Sequence, residues 1–150
     1  LELGSSPGGW SQVIVNLNSF VNITCFDLLE MKFKNKNITF FKEDFLNYDF
    51  NSFKNKFDLV LSDIAPNTTG HQSTDHLKIS QLIYEIIDRL QFILKNNGSF
   101  IFKIWKGEEE REIINKLKSL FNKVDYFKPK SSRQESSEIF IVSREFKINE

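Results

Sequence analysis

Between Phe57 and Trp105 the apolar pattern changes period twice, and no other feature of the chain constrains its fold as tightly. Phe57-Asp58-Leu59-Val60-Leu61-Ser62-Asp63 is a short apolar run stopped by Ala65-Pro66-Asn67, the signature of a buried strand. From about Asp75 to Leu94 the apolar residues Leu77, Ile79, Leu82, Ile83, Ile86, Ile87, Leu90, Ile93 and Leu94 recur at helical spacing. Asn96-Asn97-Gly98 is expected to stop that helix, and Ser99–Trp105 to form the next strand. A strand, a long helix and a second strand make a crossover unit, which joins parallel neighbours in one sheet.

The remaining chain continues the alternation. Leu1-Glu2-Leu3 reads as the end of a strand, followed by the turn Gly4-Ser5-Ser6-Pro7-Gly8-Gly9 and a short helix from Trp10 to about Leu17. Apolar runs at Val21–Phe26 and Ile38–Phe41 read as two more strands. Glu108–Phe121 has the pattern of an amphipathic helix, with Ile113, Ile114, Leu117 and Leu120 inward and an acidic first turn that suits the helix dipole. Val124–Phe127 and Ile139–Val142 are expected as terminal strands; with no helix between them they form an antiparallel hairpin at the sheet edge. The expected class is α/β, a mostly parallel sheet with helices on both faces and an antiparallel last strand. The 150 residues suit a single domain. Because Leu1 enters in mid-strand, an N-terminal strand and helix are expected upstream of this chain.

Charge and cysteine content narrow the function. Lys and Arg number 20 against 20 Asp and Glu, so no global field draws the chain to a polyanion, and any nucleic-acid footprint has to be local. One local surplus comprises Lys116, Lys118, Lys123, Lys128, Lys130 and Arg133 against Asp125. It reads either as a phosphate-contacting patch or as a solvated helix face and hairpin. Cys25 is the single cysteine, which excludes an internal disulfide, and no Cys/His spacing resembles a zinc site. No apolar run approaches the roughly 18 residues of a membrane span.

Ligands in open parallel sheets bind at the carboxyl ends of the strands. The glycine turn after the first strand allows close backbone approach but lacks the G-x-G-x-x-G spacing that grips a diphosphate. Such a turn suits S-adenosylmethionine, which carries adenosine and an amino acid without phosphate. Asp27 closes the second strand, where a carboxylate accepts from a ribose diol, and Asp44 closes the third, where it meets an exocyclic amine; each also reads as a turn-former or cap. Asp63 ends the central strand. Lys103 interrupts the apolar strand Phe100-Ile101-Phe102-Lys103-Ile104-Trp105: burial disfavours its charge, a carboxylate beside it favours it, and snorkelling to water is the plain alternative. Glu138 opens the last strand; if that strand is antiparallel, Asp63, Lys103 and Glu138 converge on one rim. His71 and His76 read as solvated loop residues, Thr68–Thr74 as a lid, and Cys25 as an inert buried thiol.

Taken together, Leu3-Gly4-Ser5-Ser6-Pro7-Gly8-Gly9-Trp10-Ser11-Gln12, Asp27-Leu28-Leu29-Glu30-Met31, Ser62-Asp63-Ile64-Ala65-Pro66-Asn67 and Ser131-Ser132-Arg133 with Ser137-Glu138 resemble the FtsJ-type ribosomal RNA 2′-O-methyltransferases, from Leu1 to about Val142. The resemblance implies a Rossmann-like fold with S-adenosylmethionine as methyl donor, contacted by Gly8, Trp10, Asp27, Asp44 and Asp63. It implies a Lys–Asp–Lys–Glu catalytic group, of which Asp63, Lys103 and Glu138 are present; the first lysine belongs to a helix upstream of the glycine loop. The expected substrate is a uridine of large-subunit ribosomal RNA, with transfer RNA, an mRNA cap, or a weakly active RNA-binding ribosome-assembly role as alternatives. A monomer that uses no metal and binds no membrane is expected, cytoplasmic, or organellar if a targeting segment precedes this chain.

Overall fold

The computed structural model describes residues 1–65, 71–107, 109–130 and 137–148. Among the described residues seven strands, β1 (Glu2–Leu3), β2 (Ile23–Phe26), β3 (Ile38–Phe41), β4 (Phe57–Ser62), β5 (Leu94–Trp105), β6 (Phe121–Phe127) and β7 (Glu138–Phe146), form one sheet in the order β3-β2-β1-β4-β5-β7-β6. Strands β1 to β5 pair in parallel, and β7 runs antiparallel between β5 and β6. The chain winds outward from β1 to β3, returns to β4 beside β1, and winds outward again. The order therefore reverses between β1 and β4, the place where open α/β sheets hold their ligands.

Period-two alternation sorts each strand onto two faces. Leu3, Phe26, Val60, Phe100, Phe102, Ile104 and Ile141, all within 2 % of full burial, face helices α2 (Gln72–Ile93) and α3 (Glu110–Leu120). Those helices return Ile83, Ile86, Ile87, Leu90, Ile113 and Leu117 to the same core. On the opposite face α1 (Gly9–Leu17) packs Ile14 and Val15 over Ile23, Cys25 and Met31. This contact holds the β-branched run Val13-Ile14-Val15 in a helix against its propensity. Farther along that face, Leu61, Ile101, Phe140 and Val142 line an apolar groove beside Trp10.

Between β3 and β4 the chain uses two 3₁₀ turns, Phe45–Asn47 and Phe50–Phe53. Asp44 and Asp49 cap them, accepting from the backbone N–H of Leu46 at 3.0 Å and of Asn51 at 2.9 Å. The turns deliver rings rather than a helix face to the core: Phe26, Phe41, Tyr48, Phe50, Phe53 and Phe57 form a continuous aromatic chain.

Three boundaries differ from the sequence reading. Helix α2 ends at Ile93, and β5 begins at Leu94. Asn96-Asn97-Gly98 lies inside β5, where the register against β4 shifts between Phe57 and Leu59 and Asn97 adopts φ 62°. The turn-forming residues accommodate an irregularity in a strand; the fully buried Leu94 is already a sheet residue there. The terminal strands are longer than expected, and within their antiparallel pair β7 lies against β5 and β6 forms the edge. No helix among the described residues is long and apolar enough to cross a membrane.

Candidate active site

The reversal point is lined by the glycine loop after β1 and by Asp63 after β4. Gly4 and Ser5 donate backbone N–H bonds to the Phe26 carbonyl at 2.9 and 3.3 Å, and Asp63 N donates to the Leu3 carbonyl at 3.1 Å. Gly4 has φ 75°, and a Cβ there would stand 2.9 Å from Ile64 N and 3.0 Å from the Asp63 carbonyl carbon. Only glycine lets the loop lie directly on the chain that leaves Asp63. Gly8 likewise has φ 113°, with Phe33 Cβ 2.5 Å from where its own Cβ would sit.

Asp27 fastens this loop to the end of β2. Its Oδ2 accepts from Ser6 N at 2.8 Å and its Oδ1 from Leu29 N at 2.8 Å. Each carboxylate oxygen has two lone pairs, so both retain acceptor capacity. Asp44, three residues past β3, accepts from Leu46 N and, at 3.4 Å, from Asn47 Nδ2. The Trp10 ring lies 5.7 Å from that of Phe140, which is the register partner of Lys103.

Lys103 shares its face of β5 with Ile101 and Trp105, away from α2 and α3. Its Nζ lies 2.6 Å from Asp63 Oδ1 and 3.3 Å from Glu138 Oε1. Glu138 reaches it because β7 is antiparallel and pairs Glu138 with Trp105, two residues beyond Lys103. The lysine side chain is 20 % exposed, against 34 % for Asp63 and 45 % for Glu138. Burial pulls the Lys103 pKa down, but the close carboxylate of Asp63, joined by Glu138, outweighs it and holds the value above that of an ordinary lysine. Lys103 is an ammonium held by two carboxylates, not a snorkelling side chain.

Beneath the glycine loop is a polar group that sequence reasoning missed. Glu2 is 2 % exposed on β1 and accepts a hydrogen bond from the Ser11 hydroxyl in the first turns of α1. Burial raises the Glu2 pKa, and burial also pushes the neighbouring Cys25 thiol up to about 11. The signal was available: an acid flanked by leucines in a strand whose other residues point to the core.

Other expectations change. His76 is not a loop residue but lies in α2, 12 % exposed, its Nδ1 2.7 Å from Glu109 Oε2. The basic surplus is partly neutralised by acids from elsewhere: Lys116 pairs with Asp88 at 2.6 Å and Lys123 with Glu145. A window along the chain counts only local acids, whereas these come from α2 and β7. Arg133, the Ser131-Ser132 pair, Pro66-Asn67 and the Thr68–Gly70 part of the expected lid lie outside the described residues. Among the described residues no three His, Cys, Asp or Glu side chains gather as a set able to hold a metal ion.

The FtsJ-like methyltransferase family profile matches residues 1–146. The chain is 40% identical over 151 residues to the ribosomal RNA large subunit methyltransferase E of Wolbachia pipientis, covering 97% of this chain and 77% of the relative. The protein of the same name from Rickettsia felis is 40% identical over 154 residues, covering 95% and 67%. The crystal structure of a protein named as a ribosomal RNA methyltransferase from Plasmodium falciparum superposes with TM-score 0.82 at 26% identity, covering 97% of this chain and 84% of that one. The match extends through the glycine loop, Asp63, Lys103 and Glu138 alike, and with it this chain belongs to the FtsJ-like methyltransferase family.

Proposed function

We propose that the chain is an S-adenosylmethionine-dependent RNA ribose 2′-O-methyltransferase, acting on a uridine of large-subunit ribosomal RNA. The observation that carries the reading is the Asp63–Lys103–Glu138 cluster at the strand-order reversal, beside the glycine loop. The names of its relatives support ribosomal RNA as substrate. Residues 1–150 act as one domain, monomeric and cytoplasmic.

The strand ends fit the cofactor. Asp27, Asp44 and Asp63, which follow β2, β3 and β4, put negative charge along the carboxyl edge of the sheet, which repels a diphosphate and suits a ligand with a cationic sulfonium and ammonium. Asp27 would take the ribose hydroxyls, Asp44 the adenine amine, and the Gly8–Trp10 stretch with Asp63 the remainder. When bound, S-adenosylmethionine supplies an activated methyl group.

Transfer to a ribose oxygen releases one proton, and the oxygen gains negative character as it loses it. An ammonium at Lys103 Nζ would donate to that oxygen and stabilise its charge. Asp63 and Glu138 hold the ammonium in one orientation and keep it protonated. Glu138, the most exposed of the three, borders the solvent that receives the proton.

The test is methyl transfer from labelled S-adenosylmethionine to large ribosomal subunits from cells lacking the enzyme, with the modified nucleoside identified by mass. The expected product is 2′-O-methyluridine. Lys103→Ala is expected to lower the rate about 10²- to 10⁴-fold while calorimetric cofactor affinity stays within about twofold. An active Lys103→Ala protein removes the lysine from the chemistry, and transfer to transfer RNA instead overturns the substrate.

A further inference from the structure

His76 occupies the second turn of α2, yet both of its ring nitrogens leave that helix. Nδ1 lies 2.7 Å from Glu109 Oε2, at the start of α3, and Nε2 lies 3.1 Å from the Trp105 carbonyl oxygen, at the end of β5. A carbonyl oxygen only accepts, so Nε2 is the donor in the bond to Trp105. The ring fills the space over Gly107: a Cβ on that residue would come 1.9 Å from Nε2. A nearly buried imidazole, two acceptors from two other elements and a glycine that leaves room for it form one joint.

That joint lies at the corner of the candidate site. Trp105 pairs with Glu138 across β5 and β7, Lys106 N donates to the Ser137 carbonyl at 2.9 Å, and Lys103 is two residues upstream. The strand carrying the lysine and the strand carrying Glu138 are therefore stitched together at the carbonyl that His76 holds. Helix α2 in turn follows the strand that ends in Asp63. His76 thus joins α2 to the end of β5, which carries Lys103, and to the start of α3.

We propose that His76 is a positioning residue for methyl transfer: its bond to the Trp105 carbonyl fixes the end of β5 and so the place of the Lys103 ammonium between its two carboxylates. The proposal rests on Lys103 being the catalytic lysine. Displacements of about 1 Å in a group remote from the chemistry can cost on the order of 10²-fold in rate. Asp27 and Asp44, the acceptors offered to the cofactor after β2 and β3, lie on the other side of the reversal point.

The experiment compares His76→Ala, His76→Gln and the unsubstituted full chain. The assay is single-turnover and steady-state methyl transfer to unmethylated large ribosomal subunits. His76→Ala is expected to lower kcat roughly 10- to 100-fold with the KM for S-adenosylmethionine within about twofold. His76→Gln, whose amide N–H can still donate to the Trp105 carbonyl, is expected to recover most of kcat. A stability change alone would not divide kcat from KM, nor be rescued in this way. A second measurement needs no activity: the Nζ–H signal of Lys103 in a nitrogen-correlated NMR spectrum, with Lys123, paired to the distant Glu145, as internal control. His76→Ala is expected to broaden the Lys103 signal and spare that of Lys123. An unchanged Lys103 signal, or equal kcat loss in the Ala and Gln proteins, overturns the positioning role. If the unsubstituted chain methylates no RNA, the functional reading fails on its own, and the NMR result still decides whether His76 places the lysine.

Discussion

Lys103 shows how a single side chain can be read from its neighbours and still be settled only by contact. Burial opposes its charge, Asp63 and Glu138 favour it, and the carboxylates prevail, so its pKa stands above the ordinary lysine value. A cation with a raised folded value stabilises the fold fully below its unfolded pKa, near 10.5, and loses that contribution as the pH climbs through the folded value. Asp63→Asn removes the closer carboxylate and leaves burial opposed by Glu138 alone. The Lys103 pKa is then expected to fall, which a side-chain NMR titration would read directly. A value unchanged by Asp63→Asn would mean that the 2.6 Å pair does not govern the lysine. The sequence exposed the anomaly of a lysine in an apolar strand, but two opposing electrostatic effects cannot be weighed without distances.

At the scale of elements, the glycine loop and its neighbours divide into positions that tolerate a side chain and positions that do not. Gly4 combines φ 75° with backbone atoms of Ile64 and Asp63 about 3 Å from any added Cβ. Gly9 opens α1, and an added Cβ there meets nothing within 4 Å. Gly4→Ala is accordingly expected to cost about 2–4 kcal/mol, from left-handed backbone strain and a backbone clash that cannot relax by rotamer change. Gly9→Ala is expected to change stability by less than about 1 kcal/mol, because a helical alanine replaces a flexible glycine in open space. Denaturant unfolding of the pair checks the contrast; equal losses would mean that composition rather than loop geometry matters. The element reading from sequence was sound where one face is continuously apolar, as in β4 and α3. It failed at Asn96-Asn97-Gly98, because a turn-forming triplet stops a helix or kinks a strand according to what packs against it.

For the whole molecule, stability and site geometry share one core. Helices α2 and α3 press Ile83, Leu90, Ile113 and Leu117 onto the same strands, β4 leading to Asp63 and β5 carrying Lys103. Leu90 is fully buried at the centre of this contact, so Leu90→Ala is expected to cost about 2–5 kcal/mol, the transfer of the lost atoms plus an unfilled cavity. The denaturant midpoint should fall with an unchanged slope, the sign of lost stability rather than a changed unfolded state; a shallower slope would show that the core is not one cooperative unit. From the sequence alone came the α/β class, the glycine turn, and the residues at the strand ends, since alternation and helical period are local properties of the chain. Tertiary structure decided that β7 enters between β5 and β6, that Glu138 thereby meets Lys103, that Asp88 and Glu145 neutralise part of the basic surplus, and that His76 joins α2 to β5 and α3. Those are encounters between distant segments, and strand order and charge pairing follow from how whole elements pack, which no local pattern encodes.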